Sequence, residues 1–445
     1  VIRSFRKLSY ALILSIGCAA TTGCFSEHRP RILLLGIDGA TWKAITPLMS
    51  DNRLPNIARL TMEGTWGPLQ SFSPYLSPRV WTSIATGKDP KNHGILGWVK
   101  LDGDDAAKLY YSEDRNGHAL WNIYSDAGQS VGLVNWLVTY PPEVIRGVVV
   151  SDHALSGESK ARADLGALFA NARGRKFESE DALASPAQAI FPKAWNERVL
   201  HPRHANAKLT RFANLFEGDQ PLPERFDRKR LAEFFERDQE LVSIALEIDR
   251  TVAPDLMMVL LQGVDRVSHS LWACTDDPSV YPEDFTPTPE ELSNCREMLY
   301  AYYEYTDQLI GRFLASYTDE DLVMVISDHG FETIFRGART GNHHTPDAAL
   351  GVIMARGPRI DRGRLLAPTE VTVYDIAPTV LAWSGKPVAR DMDGKVAPFL
   401  IVEEDTPLPE PIDTYATNPI TRVGDSTSGG EAVLMDQLQA LGYVD

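Results

Sequence analysis

Residues 31–39 read RILLLGIDG, and this stretch decides the fold. Its apolar run carries no polar alternation, which describes a strand covered on both faces, as in a parallel sheet. The run stops at Asp38-Gly39, so an aspartate stands at the carboxyl end of a buried strand, where open α/β sheets collect their ligand-binding groups. The same text recurs along the chain. Leu256–Gln262 (LMMVLLQ) runs into Gly263-Val264-Asp265, and Asp321–Ser327 (DLVMVIS) runs into Asp328-His329-Gly330. Ser130–Asn135, Gly147–Ser151 and Gly351–Ala355 are further apolar runs. Between them, helical signals follow Leu54-Pro55-Asn56 and cover Ala119–Asp126, Arg228–Ile248, Glu290–Ser316 and part of Val371–Ser384. Strands alternating with helices predict an α/β class.

The chain has 445 residues, enough for one large domain with insertions or for two domains. Its net charge of −16 disfavours binding nucleic acid through a basic face. Residues 155–250 lack strong strand signals and read as a helical insertion that shapes a pocket. Residues 403–411 (EEDTPLPEP) read as an acidic, Pro-rich linker, and the tail beyond them carries one helix, Glu431–Leu441, stopped by Gly442. Residues 1–24 have the form of a secretory signal. Arg3, Arg6 and Lys7 precede an apolar run, Tyr10–Ala20, too short to span a bilayer. Thr22-Gly23-Cys24, like Ile16-Gly17-Cys18, resembles a bacterial lipobox, and Cys24 is the favoured lipidation site. The expected location is the bacterial cell envelope or periplasm, anchored to a membrane by lipid. Cys274 and Cys295 bracket an acidic segment and read either as a disulfide of an exported chain or as two buried thiols.

The strand ends repeatedly deliver metal-ligating residue types: Asp38, Asp265 with His269 four residues on, Asp328-His329, and His344 in GNHH. On a helix, Asp265 and His269 share a face and can reach one ion. Three aspartates and three histidines suffice for two ions of three protein ligands each, an open coordination that suits catalytic zinc. Ser151-Asp152-His153 mimics Ser327-Asp328-His329 but lacks the following glycine, so it reads as a decoy. His93 reads as a turn histidine, and His343 as a neighbour of the site or as solvent-facing.

Residues 71–94, SFSPYLSPRVWTSIATGKDPKNHG, add the remaining element. Ser77 is placed to N-cap a helix, Pro78 to occupy its first turn, and Val80, Trp81, Ile84 and Ala85 to form its apolar face, with an end near Gly87. A serine there serves as a cap, or lies in a field that favours phosphate, with the following backbone N–H groups facing the anion.

In order and spacing, Asp38, Ser77, Asp265-x-x-x-His269, Asp328-His329 and His344 resemble the alkaline phosphatase superfamily, closest to its type I phosphodiesterase/nucleotide pyrophosphatase branch. The stretches LLLGIDGATW, LPNIARLTMEG, WTSIATGKDPKNHGILG, SDHGF, HHTPDAALGVIMARGP and YDIAPTVLAWSGKPVARDMDGKV carry the resemblance over about residues 31–400, and the closing LGYV is typical of bacterial members. The resemblance implies an alkaline phosphatase-like three-layer α/β/α fold, with a central mostly parallel sheet and a largely helical insertion, in a catalytic domain over 30–402. It implies that Asp38, Asp328 and His329, with Ser77, hold one divalent ion and that Asp265, His269 and His344 hold the other, zinc best and manganese or iron also. Ser77 takes the nucleophile position, forming a phospho-serine intermediate on a phosphate ester, most simply a phosphodiester. The family's phosphate-binding asparagine is replaced by Val80, which leaves Arg79 as the candidate substitute. Pro78 and Arg79 come too early for the C/S-x-P-x-R pattern of sulfatases. Phosphomonoesterase, sulfatase-like hydrolase and phospho-headgroup transferase are the alternatives within the superfamily. A lipid-anchored, non-catalytic binding protein is the alternative outside it.

Overall fold

The computed structural model describes residues 29–423, apart from 103–105, 156–175, 178–185, 201–211, 213–214, 216–217, 225, 337–338, 344, 404 and 406. The N-terminal segment with Cys18 and Cys24, the tail helix expected over Glu431–Leu441, and His344 lie outside the described residues.

Strand β1 (Ile32–Ile37) is buried at every position. Leu33, Leu35 and Ile37 join one core and Ile32 and Leu34 the other, as the two-residue period of a strand requires. Each fully buried leucine or isoleucine contributes about 1.5–3 kcal/mol of transfer free energy. The other strands of the sheet are β2 (Thr65–Gln70), β3 (Val131–Val134), β4 (Gly147–Val150), β5 (Ile190–Phe191), β6 (Leu256–Leu261), β7 (Leu322–Ile326), β8 (Leu350–Arg356) and β9 (Arg364–Leu365). Their spatial order is β9-β2-β8-β7-β1-β6-β3-β4-β5, a nine-stranded sheet. Strands β7, β1, β6, β3 and β4 run parallel, whereas β8 and β5 are antiparallel to their neighbours. The parallel block therefore presents its carboxyl ends together.

Helices cover both faces. On one lie α1 (Trp42–Ser50), α2 (Pro55–Glu63), α5 (Arg228–Val252), α6 (Gly263–Leu271) and α7 (Pro289–Leu314). On the other lie α3 (Ser77–Thr86), α4 (Leu120–Asp126) and α8 (Ile376–Trp383). This is a three-layer α/β/α arrangement. Gly36 lets α3 sit directly on the central strand, since a Cβ at Gly36 would stand 2.6 Å from the Trp81 ring.

The region expected to be a helical insertion contains α5 but also strand residues. Ile190–Phe191 extends the main sheet, and Lys176–Phe177 pairs with Ala106-Ala107 in a small side sheet. Two-residue strands offer no periodicity to read, so the sequence hides them. Cys274 and Cys295 form a disulfide with a Cα–Cα distance of 5.9 Å, tying the start of α7 to the segment after α6. Among the described residues, no helix is long and apolar enough to cross a membrane.

Candidate active site

The parallel register of β1 with β6 is flush, with Ile37 opposite Leu261, so Asp38 leaves the sheet beside Gln262. Asp38 is fully buried and its N–H donates to the Leu261 carbonyl at 2.9 Å. Its two carboxylate oxygens have separate duties. Oδ1 accepts from the Ser77 hydroxyl at 3.4 Å, and Oδ2 accepts from the Gln262 side-chain amide at 3.3 Å. Arg266 on α6 in turn donates to Gln262 Oε1 at 3.2 Å, which fixes which end of the amide faces Asp38.

Ser77 is not the cap of its helix. Leu76 occupies the N-cap position, Ser77 is the first helical residue, and Pro78 is the second. Its hydroxyl points to Asp38 rather than back to an α3 N–H. The expectation that N–H groups after Ser77 are left for a phosphate also fails. Pro78 has none, and Arg79 and Val80 donate to the Leu76 carbonyl at 3.0 and 3.2 Å. Val80 is fully buried in the core.

The end of β7 brings Asp328 and His329, both without solvent exposure. Asp328 Oδ1 accepts from Gly39 N–H at 3.2 Å, while Oδ2 has no hydrogen-bond partner. His329 Nδ1 lies 3.1 Å from the Gly330 carbonyl, to which it can only donate. That leaves Nε2, itself without a hydrogen-bond partner, 3.3 Å from Asp328 Oδ2 and 3.5 Å from Asp38 Oδ1.

On α6, Asp265 and His269 share a face, with Nε2 of the histidine 3.5 Å from Asp265 Oδ1. His269 Nδ1 donates to the Gly341 carbonyl at 2.9 Å, a bond that leaves Nε2 for a ligand. Gly341 belongs to a hairpin, Glu332–Arg336 with Arg339–Asn342, that packs on α6. His343 follows directly and is buried, its Nε2 3.8 Å from Asp265 Oδ1 and its ring stacked at 3.8 Å on His329. The placement of His343 near the site or in solvent thus resolves in favour of the site. Two donor groups result, Asp265/His269/His343 and Asp38/Asp265/His329, each with its ligand atoms within 4.8 Å of one another.

Three carboxylates in one buried cluster repel. Burial, then the charges of Asp328 and Asp265, push Asp38 well above the ordinary carboxylate range. Burial and Asp265 push Asp328 up to about 7, against the Gly39 N–H. Burial lowers the His269 ring below its usual value. Among the described residues, no lysine or arginine makes an ion pair with Asp38, Asp265 or Asp328. The partnerless buried atoms Asp265 Oδ1, Asp328 Oδ2 and His329 Nε2 therefore converge on a place that fits divalent cations.

Arg79 lies apart from this cluster. Its half-buried guanidinium sits 5.0 Å over the Phe72 ring, which stacks on Tyr374. The decoy Asp152 holds a loop: its carboxylate accepts from Val138 N–H at 3.1 Å and from Thr139 N–H at 3.3 Å, while His153 stacks on Tyr140. His93 fills a turn, accepting from Ile95 N–H at 3.1 Å and donating to Ser83 Oγ at 3.0 Å. Gln262 and His343 are the site residues that sequence reasoning did not select.

The sequence profile of the type I phosphodiesterase/nucleotide pyrophosphatase family matches residues 32–381, and the chain belongs to that family. Members of that family are phosphoester hydrolases and use divalent metals. No curated protein matches the chain. Similar solved structures include phosphonate monoester hydrolase from Silicibacter pomeroyi, at 18% identity over 85% of this chain and 78% of that one, with a TM-score of 0.47. Phosphonoacetate hydrolase from Sinorhizobium meliloti is 16% identical over 69% of this chain, which spans 58% of that protein, with a TM-score of 0.40. A structure in complex with its substrate D-glucosamine-2-N,6-O-disulfate is 15% identical over 86% and 81% of the two chains, with a TM-score of 0.44.

Proposed function

We propose that the chain hydrolyses phosphodiesters at a two-metal site with Ser77 as nucleophile. The observation that carries this reading is the Ser77 hydroxyl, 3.4 Å from Asp38 Oδ1, at the border of a buried group of carboxylates and imidazoles that, among the described residues, pairs with no lysine or arginine. Asp38, Asp328 and His329 with Ser77 would hold one ion. Asp265 and His269, with His343 or the adjacent His344, would hold the other. Zinc suits such Asp/His donors best, with manganese or iron accommodated. Bound there, the ions lower the pKa of the Ser77 hydroxyl and neutralise charge on the phosphoryl oxygens.

The protein's own part is orientation. Asp38 Oδ1 aims the Ser77 oxygen, and the start of α3 fixes its direction over the carboxyl end of β1. The Ser77 hydroxyl gives its proton to water as Oγ forms the new P–O bond, and the ester oxygen departs from the opposite side with its electron pair and takes up a proton from water. Water then cleaves the phospho-serine, returning the serine hydroxyl and releasing the phosphate product. In this reading the enzyme is exported and held to a membrane by lipid on Cys24, which metabolic labelling with a radioactive fatty acid tests against Cys24→Ser.

The deciding assay offers bis-p-nitrophenyl phosphate, p-nitrophenyl phosphate and p-nitrophenyl sulfate to the purified protein with Zn²⁺ or Mn²⁺. Preference for the diester is expected. Preference for the monoester or the sulfate transfers the assignment to those classes. Ser77→Ala is expected to abolish turnover while metal still binds, and full activity in that variant removes Ser77 as nucleophile.

A further inference from the structure

A groove of about 480 Å³ opens between the end of α8 and the strap that finishes the described chain. Val388, Met392, Val396 and Leu408 form its apolar wall, and Lys386 and Lys395 stand on it. It lies away from the active site. Met392 packs at Gly87, the C-cap of α3, whereas Ser77 begins that ten-residue helix, about 15 Å away along its axis. Of the carboxylates nearby, Asp391 pairs with Lys88 at 2.6 Å and Asp393 accepts from Asp89 N–H and Asn92, while Glu410 is the one acidic residue of the lining. Arg390 is likewise committed, to the Pro411 carbonyl and Asp413. Among the described residues, Lys386 and Lys395 have no carboxylate within ion-pair distance. Lys386 rests over the Tyr124 ring at 4.8 Å.

We propose that this groove is the docking site of the chain's own segment 424–445, GDSTSGGEAVLMDQLQALGYVD. Charge supports the pairing. Every ionisable side chain of the segment that is charged at neutral pH is acidic (Asp425, Glu431, Asp436 and Asp445), and the groove's lining carries Lys386, Arg390 and Lys395 against the single carboxylate Glu410. Shape supports it too. Helical spacing over Glu431–Leu441 puts Leu434, Leu438 and Leu441 on one face, an apolar ridge to match the apolar wall of Val388, Met392, Val396 and Leu408. Reach completes the case. The described chain ends at Val423, whose N–H donates to the Pro142 carbonyl at 2.9 Å. A few residues on, Arg146 N–H donates to Ser125 Oγ at 2.8 Å, and the next residue along α4, Tyr124, lies beneath Lys386. Residues 424–430 would span up to about 24 Å if extended, so the acidic segment 431–445 is tethered close to the groove. A tether of this length supplies an effective concentration near the millimolar range, so a weak contact is enough.

The test is zero-length carbodiimide coupling of the full chain, mapped by mass spectrometry. Amide bonds from Lys386 or Lys395 to Glu431, Asp436 or Asp445 are expected, and Lys88–Asp391 serves as the internal control. An equal mixture of ¹⁵N-labelled and unlabelled chain separates the sources of the tail. Coupling within one copy gives no mixed-isotope pairs and supports the proposal, whereas about half of the pairs being mixed, the proportion for coupling between copies, assigns the groove to a second copy and overturns it. Formation of the Lys88–Asp391 bond without any tail bond overturns it as well. Hydrogen exchange gives an independent readout. The amides of 431–441 should exchange at least several-fold more slowly in the full chain than in a free 424–445 peptide, and Leu438→Asp, which alters no described residue, should abolish that protection. Unchanged protection in Leu438→Asp overturns the proposal.

Discussion

Two turns of this molecule carry almost the same text. Ser151-Asp152-His153 follows β4, Ser327-Asp328-His329 follows β7, and both aspartates are buried at the carboxyl end of the same parallel block. The first is saturated from within. Backbone N–H groups of Val138 and Thr139 occupy both oxygens of Asp152, and they hold Val138 at a φ of 61°, a conformation that a β-branched residue rarely adopts. The second is left open. Asp328 takes one N–H from Gly39 and keeps Oδ2 bare, beside His329 Nε2 and two further carboxylates. The comparison teaches that residue type and strand position do not make a ligand. What makes one is whether the surrounding backbone has already used the carboxylate.

The sharpest way to break this comparison is a pair of substitutions. Asp328→Asn is expected to lower turnover on the order of 10³-fold and to reduce bound metal, with little loss of stability in the metal-free protein, since it removes a repelled charge. Asp152→Ala should do the reverse, costing about 2–4 kcal/mol of stability while metal content per folded molecule is kept. Turnover, elemental analysis and denaturant titration on both variants decide it, and equal effects on all three would dissolve the distinction.

Gln262→Leu is the next largest. It frees Asp38 Oδ2 while leaving every proposed ligand in place, and a 10–100-fold loss of metal affinity by calorimetry is expected. Unchanged affinity would mean that the amide only fills space.

The pH response follows from the open turn. The folded-state pKa of Asp328, about 7, is raised above its ordinary 3.8, so its contribution to stability is complete below about pH 4 and is lost as pH rises towards 7. Metal-free protein should therefore lose up to ~1.4 kcal/mol per pH unit through this group over that window. Asp328→Asn should flatten the slope. The smallest expected effect is His153→Leu, which gives up the Tyr140 stack for about 0.5–1.5 kcal/mol with activity intact.

Much of this architecture was legible in the sequence because buried parallel strands are written as unbroken apolar runs. Strand β2 was not, since Gly67 and Pro68 interrupt it. Nor was the hairpin 332–342, whose mostly polar residues give no strand signal although it delivers the Gly341 carbonyl to His269. The local pattern at Ser77 predicted a cap. The helix instead begins one residue earlier, and a carboxylate 39 positions away takes the hydroxyl. Gln262 reads as an ordinary strand-end residue until the register of β1 with β6 puts it beside Asp38. Nothing local separates His343 from its neighbour His344.

Strand β1 is central, and its two hydrogen-bonded neighbours are β6 and β7, the segments 256–261 and 322–326. The earliest of the described strands to be synthesised is thus among the last to be paired. At ribosomal speed its apolar edges wait roughly 10–40 s for the nearer partner, and pairings this distant in sequence also form slowly once available. During that delay the chain offers two bare β edges to any other nascent strand. A dependence of yield on chaperone supply, greater than the stability of the finished protein would suggest, is the consequence of placing residues 32–37 in the middle of the sheet.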